Sequence, residues 1–167
     1  VCGPAMAVPV AQYVAPAPAP YVAPYVAPVV VAAAPAQAVY ERYTLDANVL
    51  FDFDKSVLRP EGRNILDSFV SKVKGVEQST VTAIGHADRF GSDNYNQSLS
   101  ESRVATVKAY LVSKGIESTW VSSSGKGEMQ PVTAAGTCAG AATASNIACL
   151  QPDRHVTIEM SGTRRTQ

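Results

Sequence analysis

The chain has 167 residues, enough for one domain and a tail, with 14 basic and 14 acidic side chains and 46% hydrophobic residues. That balance gives no reason to expect nucleic acid or an anionic membrane surface as the main partner. No apolar run approaches the ~20 residues a transmembrane helix needs.

Residues before Glu41 contain no Asp, Glu, Lys or Arg but hold most of the prolines, and YVAP recurs at Tyr13–Pro16, Tyr21–Pro24 and Tyr25–Pro28. Proline at this density excludes helix and central strand and favours an extended polyproline II path. Residues 1–40 are therefore expected to be an Ala/Pro-rich extended or disordered linker, with a docking strip for a partner as the alternative. The sequence begins on Val1 and not Met, which leads to the expectation of an upstream part such as a signal peptide.

The globular part is expected over 41–162, followed by a short tail at 163–167. Tyr43–Phe51 reads as a strand entering the core, and Phe51–Ser56 as its polar exit loop. Pro60 suits the first turn of a helix, Ile65, Leu66, Phe69, Val70 and Val73 continue it, and Gly75 stops it. A second strand is expected over Ser79–His86, then a long helix over Asp93–Lys114 capped by Ser92 or Asp93 and closed by Gly115. Trp120–Ser124 reads as a third strand. Gly125–Leu150 is mostly loop, with a short helix near Ala144–Leu150, and Arg154–Met160 alternates as a last strand. The order implies an α+β fold, a mixed sheet with helices packed on one face.

Three cysteines are present, Cys2, Cys138 and Cys149. The last two flank a small-residue loop, as a local disulfide would, which points to an oxidising compartment. Cys2 would then be left over, for an intermolecular bond or lipidation.

On the long helix, Leu99, Val107 and Leu111 share one face, and Arg103 sits on the same stripe where a core residue belongs. A guanidinium there needs a carboxylate, a backbone acceptor or a ligand, because an unpaired buried charge is costly. Asp88, at the exit of the second strand, is the partner the chain suggests. The pair is then either a closed salt bridge or part of a ligand pocket.

The motifs LFDFDKS at Leu50–Ser56, GHAD at Gly85–Asp88, GSDNYNQSLSESR at Gly91–Arg103, GKGE at Gly125–Glu128 and PDRHV at Pro152–Val156 appear in this order. Together they resemble the OmpA-like peptidoglycan-binding domain, which also ends Pal lipoproteins and flagellar stator proteins. The cysteine-flanked insertion before PDR is most similar to that of the reduction-modifiable outer-membrane protein type. The resemblance implies a non-catalytic domain, without cofactor or metal, that holds peptidoglycan in the periplasm at the outer membrane. The implied ligand is the D-configured end of diaminopimelate in the peptide stem. The ligand residues it implies are Asp88, Arg103 and Asn96, with Asp54 and Arg154 bordering the pocket. Two departures from the pattern, Ala87 for threonine and His155 for arginine, leave the Asp88–Arg103 pair untouched. The pocket motifs lie outside the Cys138–Cys149 loop, so that loop is expected to stabilise the fold without touching the ligand.

The chemistry agrees with this reading. A zwitterionic amino-acid head suits a carboxylate beside a forked guanidinium, and the N-terminus of the long helix offers further donors to an anion. Two other classes compete. An enzyme would use His86 and Asp88 as a metal or acid–base pair, with His155 the one other histidine available. A structural protein would engage outer-membrane porins through the YVAP segment or Cys2. A homodimer is left open.

Overall fold

A computed structural model describes residues 11–165. The chain divides into two units, Val1–Ala33 and Ala34–Gln167. In the first, residues 11–33 form no helix or strand and are exposed throughout. Cys2, and with it the expectation of an extra bond or lipid there, lies outside the described residues.

The second unit is built on strands β1 (Ala36–Asp46), β2 (Glu77–Gly85), β3 (Val121–Gly125) and β4 (His155–Arg165), in spatial order β1-β4-β2-β3. β4 pairs antiparallel with both β1 and β2, and β2 runs parallel to β3. The sheet is therefore mixed, as expected. The parallel pair needs a crossover, and the long helix α3 (Asp93–Ser113) supplies it. Helix α2 (Pro60–Lys74) precedes β2, with Pro60 in its first turn and Gly75 at its C-cap. Two short helices complete the unit, α1 (Ala47–Leu50) and α4 (Ala144–Cys149).

The core follows from the two periodicities. Val81 and Ala83 of β2, with Val156, Ile158 and Met160 of β4, lie two residues apart and so face one side. They pack in one cluster with Leu66, Phe69 and Val73 of α2 and with Val104, Val107 and Leu111 of α3. Closeness is enforced where α3 crosses the strand ends. A Cβ on Gly85 would come within 2.7 Å of the Ser100 carbonyl oxygen, and one on Gly125 within 2.5 Å of the Glu101 amide nitrogen. Only glycine lets β2 and β3 run directly beneath the helix at these points.

Two boundaries differ from expectation. The first strand does not run to Phe51. Asp46 ends it by capping α1, its Oδ1 accepting the Asn48 amide at 2.7 Å, and Ala47–Leu50 makes one helical turn. The sheet also extends past 41 and 162 at its two ends. β1 and β4 pair over their whole lengths, from Ala36 opposite Arg165 to Asp46 opposite His155. Along β1, Val39, Glu41, Tyr43 and Leu45 are half-buried on one face. Glu41 is tolerated there because it accepts from the Tyr43 hydroxyl, which in turn accepts from Lys72 at 2.9 Å.

Candidate ligand-binding site

The site lies where β2 ends. Past Gly85 the backbone is held on both sides, His86 N–H donating to the His155 carbonyl and Ala87 N–H to the Gly127 carbonyl, each at 2.9 Å. This delivers Asp88 to the rim in a fixed pose, its Oδ1 accepting the Phe90 amide at 2.9 Å. From α3, Asn96 braces the same segment, its Nδ2 donating to the Asp88 carbonyl at 3.0 Å and to Glu128 Oε2 at 2.8 Å. Arg103 emerges from the same helix one turn past Leu99. The loop between α1 and α2 adds Asp54 in a left-handed conformation, φ 57°, which Asp accepts more readily than most residues.

These elements enclose a cavity of about 180 Å³. All five residues expected at a ligand site, Asp54, Asp88, Asn96, Arg103 and Arg154, line it. So do residues that the sequence did not mark as ligand-facing: Phe53, Phe90 and Tyr95, and from the disulfide loop Ala142 and Ile147. The three aromatics stand within or beside the quoted motifs, so their place in the chain was the available signal. Nothing in the sequence distinguished Ala142 or Ile147 from the small-residue loop around them.

The ion pairing differs from the expected one. Asp88 pairs with Arg154, Oδ2 to Nη1 at 2.6 Å, and both side chains are nearly buried. Arg103 instead donates from Nε to the Lys55 carbonyl at 3.0 Å and lies over the Phe51 ring, 5.4 Å from its centroid. It is 5% exposed, and burial lowers the pKa of its guanidinium. Asp54 and Asp88 oppose that shift, Asp54 the more strongly, while Arg154 adds to it. The contrast has a geometric cause: Arg154 enters from the turn before β4, beside the β2 exit, while Arg103 is drawn toward the loop carrying Asp54 and Lys55. The α3 N-terminus is also less available to an anion than expected. Ser92 Oγ already accepts the Tyr95 amide, and Asp93 places a negative charge in the first turn. The cationic side chains in the cavity lining are Arg103 and Arg154.

Around this centre, Glu128 has its pKa raised, first by burial and then by Asp93 and Asp88, against the bond from Asn96. His86 and His155 are both buried and stack face to face, with ring centroids 4.3 Å apart. Parallel rings do not aim their nitrogens at a common ion. Among the described residues no trio of His, Cys, Asp or Glu is arranged to hold a metal. Burial lowers the His86 pKa to about 4, with His155, Arg42 and Lys126 adding repulsion, and its Nδ1 has no hydrogen-bond partner. His155 Nδ1 lies 2.9 Å from the Pro152 carbonyl.

Cys138 and Cys149 are bonded, as expected, with Cα atoms 5.7 Å apart. Their loop, however, forms part of the cavity wall and is not remote from it. The segment ahead of this loop is held by a residue that the motifs did not single out. Buried Asp153 accepts the Val132 and Thr133 amides on Oδ1, at 2.7 and 2.8 Å, and the Thr133 hydroxyl on Oδ2 at 2.7 Å.

Among solved structures, the fold is similar to the OmpA-like domain of FopA1 from Francisella tularensis. That match has TM-score 0.56 and 23% identity, and covers 78% of each chain. It is also similar to the cell wall anchor of the T6SS from Pseudomonas aeruginosa, with TM-score 0.58 and 21% identity over 74% of this chain and 82% of that one. In sequence, the chain is 48% identical over 136 residues to outer membrane protein A of Citrobacter freundii, covering 79% of this chain and 57% of that protein. It is 45% identical to the Shigella flexneri protein of the same name, covering 79% of this chain and 39% of that one. The chain thus spans about half the length of these relatives or less. Residues 50–145 match the OmpA family as a whole, and with the five motifs and the strand-exit cavity in place, the chain belongs to the OmpA family.

Proposed function

We propose that this cavity holds the zwitterionic end of diaminopimelate in a peptidoglycan stem, and that the protein tethers the outer membrane to the wall from the periplasm without cutting it. One observation carries the reading: two arginines and two aspartates border a single small cavity. A ligand with a carboxylate and an ammonium a few ångströms apart satisfies both signs at once. Arg103 offers its terminal nitrogens to the carboxylate, with Arg154 alongside, while Asp88 and Asp54 attract the ammonium. Asn96 acts by holding the Asp88 backbone in place. Residues 11–33, uncharged and exposed, serve as a tether. Their exposed Tyr and Val side chains suit a porin partner, which co-purification with and without this segment tests.

The decisive experiment compares insoluble walls. Lysine lacks the side-chain carboxylate of diaminopimelate, so a lysine-type stem leaves a buried guanidinium without its counter-charge. Diaminopimelate-type sacculi should pull the protein down and lysine-type sacculi should not, with amidation of that carboxylate weakening capture. Equal capture by both would make Arg103 a structural residue and end this reading.

A further inference from the structure

The disulfide loop has a closer connection to ligand recognition than wall-building alone. Between Cys138 and Cys149 no residue is buried, so packing against the core does little to fix the loop's position. Its helix α4 has only six residues and would be marginal by itself. The constraints are few and nameable. The disulfide ties its two ends together. Asn146 Nδ2 donates across the loop to the carbonyls of Ala139, at 3.0 Å, and Ala141, at 2.9 Å. Arg89 grips its start, donating to the Thr137 and Cys138 carbonyls.

What this loop presents to the site is a backbone oxygen. Arg154 Nη1 donates both to Asp88 Oδ2 at 2.6 Å and to the Ile147 carbonyl at 3.0 Å. Two acceptors on one nitrogen use both its protons and fix the plane of the guanidinium. Nε and Nη2, which bond no protein acceptor among the described residues, are then left for a ligand. With Asp88 alone, the fork could swing about a single contact.

We propose that the Cys138–Cys149 loop is a positioning element for Arg154. Through the Ile147 carbonyl it aims the arginine at the ligand's carboxylate, so preference for a carboxylate over its amide depends on the disulfide. This rests on the reading of the cavity given above. Ile147 is a positioning residue through its backbone, and its side chain, with Ala142, forms the apolar wall.

The test uses the full chain and two synthetic tripeptides ending in diaminopimelate, one with the free side-chain carboxylate and one amidated, titrated by calorimetry. The oxidised protein should prefer the acid form. In the Cys138→Ala/Cys149→Ala variant, affinity for the acid form should fall about tenfold, the scale of a misaligned charge-assisted contact, and affinity for the amide should change little. Ile147→Ala keeps the carbonyl, so it should weaken both peptides alike and leave their ratio intact. Should the double variant lose its circular dichroism signal, Asn146→Ala loosens the loop with the disulfide in place and should narrow the ratio in the same direction. An unchanged ratio in the folded loop variants overturns the positioning role while leaving the cavity assignment standing. Failure of the oxidised protein to bind either peptide overturns both.

Discussion

Arg103→Met separates binding from stability, because the two should move in different directions. Arg103 is 5% exposed and burial already lowers its pKa, so the fold holds a guanidinium that is incompletely compensated. Its protein contacts are one charged hydrogen bond to the Lys55 carbonyl and the face of Phe51. The first is worth roughly 1.5–3 kcal/mol, and the second about 0.5–2 kcal/mol. Against these stands the desolvation of a buried cation, several kcal/mol by order of magnitude. Methionine keeps much of the volume, and its sulfur can replace part of the aromatic contact, about 0.3–1.5 kcal/mol. Asp54, which loses a counter-charge, is exposed and screened by water. The net stability should therefore lie within about 2 kcal/mol of wild type, on the stabilising side. Binding should instead fall by more than about a hundredfold, since a buried charged contact loses its partner at roughly 3–5 kcal/mol. Urea unfolding gives the first quantity, and titration with a diaminopimelate tripeptide gives the second. A variant that binds normally but unfolds more easily by about 3 kcal/mol would refute the reasoning, because Arg103 would then be a structural residue.

His86 makes stability pH-dependent. Its pKa is about 4 in the fold and 6.5 when unfolded, so between these values the unfolded chain binds the extra proton and stability falls as pH falls. The loss should be on the order of 1–2 kcal/mol between pH 7.5 and 5, and a flat urea-unfolding profile across that window would contradict it. Gly125→Ala drives a Cβ to 2.5 Å from the α3 backbone. It should cost about 1–3 kcal/mol and, by shifting α3, weaken ligand binding as well; calorimetric melting and tripeptide titration check the two. Removing residues 1–33 should leave the melting temperature and wall affinity unchanged. Cutting at residue 40 strips Ala36–Tyr40 from β1, where they pair with Ser161–Arg165, and should cost roughly 1–3 kcal/mol.

Pairing across the sheet explains why the first boundary was hard to read. Ala36-Gln37-Ala38-Val39-Tyr40 has no charge and continues the composition of the Ala/Pro-rich segment, so it reads as linker. It becomes a strand because β4 offers it a row of backbone partners far along the chain. Thr163-Arg164-Arg165, polar and charged, reads as a tail and likewise becomes strand only by pairing with Ala36-Gln37-Ala38 of β1. At Asp46 the reverse holds: a strand-like run of apolar residues continues to Phe51, but a local cap turns it into helix.

Local chemistry was enough for much of the rest. Pro60 and Gly75 bound α2, Ser92 starts α3, and the spacing of Val107 and Leu111 on α3 against Val81 and Ala83 on β2 sets which faces meet. These signals lie within a turn or two of the residues they govern, and they are legible for that reason. That Asp54, Asp88, Asn96, Arg103 and Arg154 line one cavity fits the motifs that carry the family resemblance, which stand at strand exits and on one helix. Which arginine meets which carboxylate was not legible. Asp88 and Arg154 are 66 positions apart, and their 2.6 Å contact exists only because β4 lies beside β2 and brings the turn before it to the β2 exit. The loop that holds Arg154 was equally invisible. Alanine, glycine and threonine carry no signal of what they will face, and it took the packed sheet, the disulfide and the bonds from Asn146 and Arg89 together to bring Ile147 to the cavity wall.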